Sequence, residues 1–275
     1  RGIDYPRTFV YRPEAGDDFG LPFEAPYIIK PADSVEYWRH PFAAQKKVFK
    51  AEDEAELRSI LAQIRESGYR EAVVIQEFIP GDDSFMRVLS CYSDRSGRVV
   101  LMCLGHVLLE EHTPHGIGNH AVIITRSDKV LMQRFRTLLD GLQYRGWSNF
   151  DIKYDSRDGK YKVFEINCRQ GRSNYYVTGS GANLAEYLVK DIVDGKNLPF
   201  KIADEENLWL VVPRTVAFQY VNDEYAPQMK KLIGQGKVCN PLYYSEDRGF
   251  RRLLGLAKNM FGHFIKYRKY LGKES

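Results

Sequence analysis

Apolar and polar positions alternate with two different periods along the chain, and the switches between them outline its elements. Leu57, Ile60, Leu61 and Ile64 recur at i, i+3, i+4 and i+7, which predicts a helix over residues 52–67. Glu52, Asp53 and Glu54 suit the positive end of its dipole, and Gly68 suits its stop. A second helix is predicted over 128–142, with Ser127 as N-cap and Val130, Leu131, Phe135, Leu138 and Leu139 on its inner face. A third is predicted near 182–194, closed by Gly195. Short apolar runs at 27–30 (stopped by Pro31), 48–49, 72–75 and 208–212 read as strands. Residues 77–81 read as a turn, 84–126 as antiparallel strands with a hairpin turning at 94–97, and 147–168 as a further hairpin. Residues 1–22 hold Pro6, Pro13, Gly16, Gly20 and Pro22 and read as a connector with at most one extended piece. The order of elements predicts an α+β protein with antiparallel sheets, not a repeating βαβ array.

The hairpin at 147–168 carries the densest chemistry. Its turn is Arg157-Asp158-Gly159, with Gly159 in the left-handed position of a three-residue loop, so Ser156 is expected opposite Lys160. Counting outward places Lys153 opposite Val163, Asp151 opposite Glu165 and Asn149 opposite Asn167. Alternation then assigns Phe150, Ile152, Tyr154, Phe164 and Ile166 to the core face, and Asp151, Glu165 and Asn167 to the other. Two carboxylates directly opposed across strands repel each other, and a divalent cation relieves the conflict. Three oxygen donors on rigid strands suit Mg²⁺ completed by water and phosphate oxygens. The alternative is a polar outer face with an incidental acid pair.

Composition narrows the options further. The 275 residues are 44% apolar, 28% charged and 13% aromatic, enough to bury a sizeable core and incompatible with disorder throughout. The longest apolar run, 99–109, is too short to span a bilayer. Cys91, Cys103, Cys168 and Cys239 show no C-x-x-C pairing, and neither a glycosylation sequon nor a signal peptide stands out. Reduced thiols in a cytoplasm are therefore expected. The chain begins with Arg1, which reads as a fragment of a longer protein. The net charge of +4 is uneven: residues 248–275 hold eight Lys/Arg and one acidic residue, while the rest carries 32 basic and 35 acidic residues. A near-neutral body with a basic tail does not suit a nucleic-acid binder. Phe250, Leu253, Leu254, Leu256, Ala257, Met260, Phe261, Phe264 and Ile265 interleave with the cations of that tail, so a helix there either lies on an anionic membrane surface or packs on the body.

Lys30 ends an apolar strand, where it either reaches a phosphate as a point charge or is solvated. No GxxxxGK[ST] and no GxGxxG following a strand is present, which argues against a P-loop and against a Rossmann dinucleotide site. Arg169 and Arg172 follow the acidic hairpin and, beside a metal, would orient a phosphate or carboxylate. Arg87, His115, Asn119 and His120 are candidates for an acceptor pocket. The spacing of His112, His115 and His120 matches no common zinc pattern.

In this order the motifs Tyr27-Ile-Ile-Lys-Pro31, Val73-Val-Ile-Gln-Glu-Phe-Ile-Pro-Gly-Asp-Asp83, Asp151 and Glu165-Ile-Asn-Cys-Arg169 resemble those of the ATP-grasp superfamily, over roughly residues 5–195. The resemblance implies that ATP lies between a small lid, residues 23–80, and a larger subdomain, 81–212. A C-terminal extension, 213–275, would follow, and 1–22 would lead in from a further N-terminal domain. It implies that Lys30 touches the phosphates and that Gln76, Glu77, Phe78 and Ile79 form the adenine hinge. Asp83 would bind the ribose, and Asp151, Glu165 and Asn167 two Mg²⁺ ions. Arg169 would orient the carboxylate or its acyl phosphate. The stretch from Ala32 to Trp38 lacks the glycines usual in the family's lid loop, leaving Ser34 and nearby amides to cradle phosphate. The Lys-Pro-Ala-Asp-Ser-Val-Glu-Tyr-Trp stretch is most similar to carboxylate–amine ligases of the D-aspartate ligase kind. The implied function is ATP-dependent amide formation through an acyl phosphate, joining an amino acid to an amine on a peptide or cell-wall precursor in the cytoplasm, at the inner face of the membrane if the tail binds lipid. A non-catalytic nucleotide-binding module, or a ligase for another small acid, are the alternatives; oligomerisation stays open.

Overall fold

The computed structural model describes residues 2–16 and 18–272. These fall into two compact units, one of residues 5–80 with 114–117 and one of 2–4, 81–113 and 118–272.

The smaller unit is built on four antiparallel strands, β1 (Thr8–Tyr11), β2 (Tyr27–Pro31), β3 (Phe49–Ala51) and β4 (Val73–Glu77), in the order β1-β4-β2-β3. The extended piece expected within residues 1–22 is thus an edge strand of this sheet. Helix α2 (Glu54–Glu66) covers one face, burying Leu57, Ile60, Leu61 and Ile64 against Ile29 and Ile75, as the 3.6-residue period requires. Asp53 is its N-cap, accepting the Glu56 N–H at 2.8 Å, so Glu52 lies outside the first turn. Residues 34–39, read above as part of a loop, form a short helix, α1 (Ser34–Arg39).

The larger unit holds an eight-stranded sheet. Its strands are β5 (Met86–Ser93), β6 (Val99–Glu111), β7 (Asn119–Arg126), β8 (Gly146–Asp155), β9 (Lys160–Asn167), β10 (Lys201–Ile202), β11 (Leu208–Leu210) and β12 (Val238–Cys239). The path runs β12-β11-β7-β6-β5-β8-β9, with β10 parallel to β6. Every residue of β6 from Val99 to Leu109 is buried. A central strand covered on both faces needs apolar side chains at consecutive positions, which explains its unbroken hydrophobic run. Helix α3 (Lys129–Gly141) covers one face through Leu131, Met132, Phe135 and Leu139. Its N-cap is Asp128, which accepts the Leu131 N–H at 2.9 Å, rather than Ser127. Met132 rather than Val130 belongs to the buried face, and Val130 is 69% exposed.

The other face carries α4 (Tyr175–Gly179) and α5 (Leu184–Leu188), the latter prolonged by a wide π turn over Val189–Val193. This short helix plus π turn replaces the single helix expected over 182–194. Buried Asp191 in the π turn accepts from Tyr92 Oη (2.8 Å) and the Arg95 N–H (2.9 Å), pinning the β5–β6 hairpin. Helices α6 (Arg214–Tyr220) and α7 (Ala226–Gly234) pack around a third apolar cluster, which also takes Tyr267 from the last helix, α8 (Phe250–Tyr270). Among the described residues no helix is long and apolar enough to cross a membrane.

Candidate active site

The residues singled out in the smaller unit lie on β2, β4 and their flanks. Lys30 stands near the end of β2, opposite Val74 of β4. The buried Glu77 carboxylate accepts the Arg7 N–H (3.0 Å) and Arg7 Nε (3.1 Å), and the Gln76 amide donates to Thr8 Oγ1 (3.1 Å). Both side chains are thereby occupied in fastening β1. The Glu77 N–H donates to the Arg7 carbonyl and the Phe78 N–H to the Pro26 carbonyl, so these two amides are engaged within the sheet. The Lys50 ammonium stands 4.6 Å from the Phe78 ring centroid, and Ile79 is buried. Ser34 opens α1, but the cap is Asp33, whose Oδ1 takes the N–H groups of Val35 and Glu36 at 2.9 Å each. Those two amides are likewise spoken for. His115 falls in this unit, its ring centroid 5.6 Å from that of Trp38.

In the larger unit the acid pair is opposed as expected: Asp151 pairs with Glu165 and Asn149 with Asn167. The route to that register differs from the count made above. Asp155, not Ser156, pairs with Lys160, so the loop is one residue longer, and a bulge after Asp151 absorbs the extra residue, Phe164. Lys153 consequently faces Lys162 rather than Val163, and Ile152 faces Val163. The bulge also redistributes the faces. Phe150, Ile152 and Val163 pack with α3, whereas Phe164 packs with the cluster on the opposite side and Ile166 is 50% exposed. Neither Phe164 nor Ile166 belongs to the α3 core.

Amide groups surround Asp151. Asn167 Nδ2 donates to its Oδ2 at 3.2 Å and Asn149 Nδ2 to its Oδ1 at 3.4 Å. Asn149 is held in turn by Ser90 Oγ (3.0 Å), which also reaches Asn174 Oδ1 (3.3 Å). Asn174 Oδ1 further accepts the Gly171 N–H at 2.9 Å. Arg169 Nη2 donates to Asn167 Oδ1 at 3.0 Å, so Asn167 links the arginine to the carboxylate. Arg172 points elsewhere: its nearest recorded charge is Glu111, at 3.6 Å.

The donor set fits a hard cation. Asp151 and Glu165 are opposed like charges, and rotation of the Asn167 amide, whose oxygen and nitrogen are assigned from the hydrogen-bond pattern, would add a third oxygen. Among the described residues no group of three or more His, Cys, Asp and Glu could hold a metal ion, so any cation here relies on the amide and on oxygens from outside the protein.

Asp83 opens a short 3₁₀ turn and accepts the Glu110 N–H (2.8 Å) and His112 Nε2 (2.9 Å) through Oδ2. That contact raises the His112 pKa. Beside it lies a group the sequence reading passed over. Glu110 is half-buried with its Oε1 fully enclosed, and this loss of solvent, reinforced by Asp83 and Asp151, pushes its carboxyl up to about 8. His120 Nε2 lies 3.5 Å from its Oε1, while His120 Nδ1 is 3.2 Å from Ser173 Oγ. Lys153, whose burial lowers its pKa, donates to the Gly81 carbonyl at 2.8 Å. The signal available was Glu110-Glu111 closing a long apolar run, but strand alternation does not say that the carboxyl of the first is enclosed. Of the acceptor-pocket candidates, Arg87 folds back on the Ser84 and Met86 carbonyls (2.8 Å each), and Asn119 pairs with Glu111 on β6.

No protein-family model matches the chain. A D-aspartate ligase from Enterococcus faecium (strain Aus0004) is 40% identical over 281 residues, which cover 98% of this chain and 66% of that protein. The chain thus spans about two thirds of its relative's length. A solved N5-carboxyaminoimidazole ribonucleotide synthetase, crystallised with ADP, superposes with a TM-score of 0.50 at 13% identity, over 75% of this chain and 51% of that one. An L-amino acid ligase from Bacillus licheniformis gives a TM-score of 0.46 at 17% identity, over 69% and 44%. The fold of the ADP-bound synthetase is shared at a sequence identity too low to speak of substrate, whereas 40% identity along nearly the whole chain reflects common descent. The chain belongs to the ATP-grasp superfamily and is similar within it to D-aspartate ligase.

Proposed function

We propose that this chain provides the nucleotide-handling part of an ADP-forming carboxylate–amine ligase, which activates an amino acid of the D-aspartate kind as its acyl phosphate and passes it to an amine on a peptide or cell-wall precursor. The observation that carries this reading is the opposed Asp151–Glu165 pair, bridged through Asn167 to Arg169. A carboxylate is inert to amines because its leaving group would be oxide; transfer of the ATP γ-phosphoryl group to it creates a good leaving group. Asp151, Glu165 and Asn167 would hold magnesium, which would neutralise charge on the phosphates. Lys30 adds a point charge toward the phosphates, and the 76–79 segment meets adenine through Ile79 and its carbonyls, since the Glu77 and Phe78 amides are engaged. Asp83 keeps Oδ1 for the ribose. Arg169, which rotation of the Asn167 amide toward the cation would release, orients the acid substrate, where proximity supplies much of the acceleration. The amine then attacks the acyl carbon and inorganic phosphate leaves. No side-chain nucleophile is required.

The test is a phosphate-release screen of the protein with ATP and magnesium against D- and L-amino acids, each with candidate amines. Release that needs both an acid and an amine is expected. Nucleotide binding without turnover for every pair would favour a non-catalytic module instead.

A further inference from the structure

Helix α8 has a face that nothing among the described residues covers. Tyr267 is its one buried residue, 3% exposed, and its hydroxyl donates to the Glu110 carbonyl at 2.8 Å. Leu256, Met260 and His263, on the same side as Tyr267, are half-buried. At about 3.6 residues per turn, Phe250, Leu253, Leu254, Phe261, Phe264 and Ile265 share an adjoining arc of about 120°. All six are between 41% and 76% exposed. Arg251, Lys258 and Lys269 border the far edge of that arc, and Arg268 stands within it. From Phe250 to Tyr270 there are six Lys/Arg and no acidic residue. Lys266 is turned toward Glu111, at 3.4 Å, and Arg252 toward Asp247, at 3.1 Å, so neither is counted with the cations that border the arc.

This order around the axis, with a docked edge, an exposed apolar arc and then a cationic border, is that of a helix lying in the plane of a bilayer interface. We infer that α8 binds an anionic lipid surface, its Phe250–Leu254 and Phe261–Ile265 side chains entering the headgroup boundary while Arg251, Lys258 and Lys269 meet lipid phosphates. The charge selects this occupant: pairing the same face of a second copy would bring two acid-free cationic helices together, whereas anionic headgroups complement them. The inference rests on α8 alone and stands independently of the ligase reading.

Co-sedimentation of the protein with vesicles of phosphatidylcholine, with or without phosphatidylglycerol, tests it. Binding to the phosphatidylglycerol vesicles is expected, weakening as salt rises. The triple variant Leu254→Asp, Phe261→Asp, Ile265→Asp should bind at least about tenfold more weakly. A second variant, Arg251→Gln, Lys258→Gln, Lys269→Gln, keeps the apolar arc and should lose the preference for anionic vesicles, with the helical circular dichroism of the parent. No sedimentation with either vesicle, equal binding to both, or concentration-dependent self-association abolished by the aspartate variant would each overturn the proposal.

Discussion

At the scale of single residues, buried polar groups tie the proposed site to the stability of its unit. Glu110 holds its proton in the folded state up to about pH 8, whereas in the unfolded chain it would lose it near about 4.3. Between those values the native state binds the extra proton, so the contribution of Glu110 to stability is fully present below about pH 4 and is lost as pH rises toward 8. His112, raised by Asp83, acts in the same direction. Glu110→Gln should therefore gain stability relative to the parent as pH rises from 5 to 8; urea midpoints at the two pH values measure this, and a constant difference would contradict it. Gly171 makes a second residue-scale case. A Cβ there would stand 2.6 Å from Asn149 Oδ1 and 2.9 Å from Asn174 Oδ1, inside the network that steadies Asp151. Gly171→Ala should cost about 1–3 kcal/mol in urea unfolding and weaken Mg-ATP binding together, because relief of the clash must move Asn149. Loss of neither would mean that the network yields freely.

At the scale of elements, the caps show what periodicity leaves open. The helix over 129–141 was legible from its apolar spacing, but Ser127 and Asp128 are both good caps, and the choice depends on which side chain meets the Leu131 amide. Asp128→Ala should cost about 1 kcal/mol, and Ser127→Ala less than about 0.5 kcal/mol, by equilibrium urea unfolding. Equal costs would reject the assignment. The acidic hairpin is instructive in a different way. Asp151 was placed opposite Glu165 by counting from a loop taken one residue too short, and the bulge at Phe164 restored the pairing. Turn length and bulge are both set by tertiary packing, here by Phe164 turning to the cluster opposite α3. The pairing was therefore correct, and Phe150 and Ile152 face inward as expected, while Phe164 and Ile166 do not. Helix α1 was missed because Ala32 to Trp38 has no apolar period; Asp33, capping two amides, holds it. The enclosed Glu110 carboxyl was illegible for a related reason, since neighbours distant in sequence enclose it.

At the scale of the whole molecule, the two units divide the proposed work. The smaller one holds Lys30 and the 76–79 segment in an antiparallel sheet whose β1 strand fastens Gln76 and Glu77 through Thr8 and Arg7. The larger one holds the acid pair and Asn167 on a sheet covered on both faces, so these side chains start from a rigid backbone, and Arg169 follows two residues beyond β9. The superfamily and the antiparallel α+β architecture were readable from short ordered motifs, because a metal-and-phosphate site fixes residue type at few positions. The acid and the amine leave no comparable mark, because a substrate pocket changes by substitutions that keep the fold. The most direct measurement is titration calorimetry of Mg-ATP with the parent protein and with Glu165→Gln. If Glu165 and Asp151 hold the cation on the triphosphate, the variant should bind at least about tenfold more weakly while keeping its unfolding midpoint, since Glu165 is exposed and loses no buried contact. Unchanged affinity for Mg-ATP would contradict the assignment of the acidic hairpin.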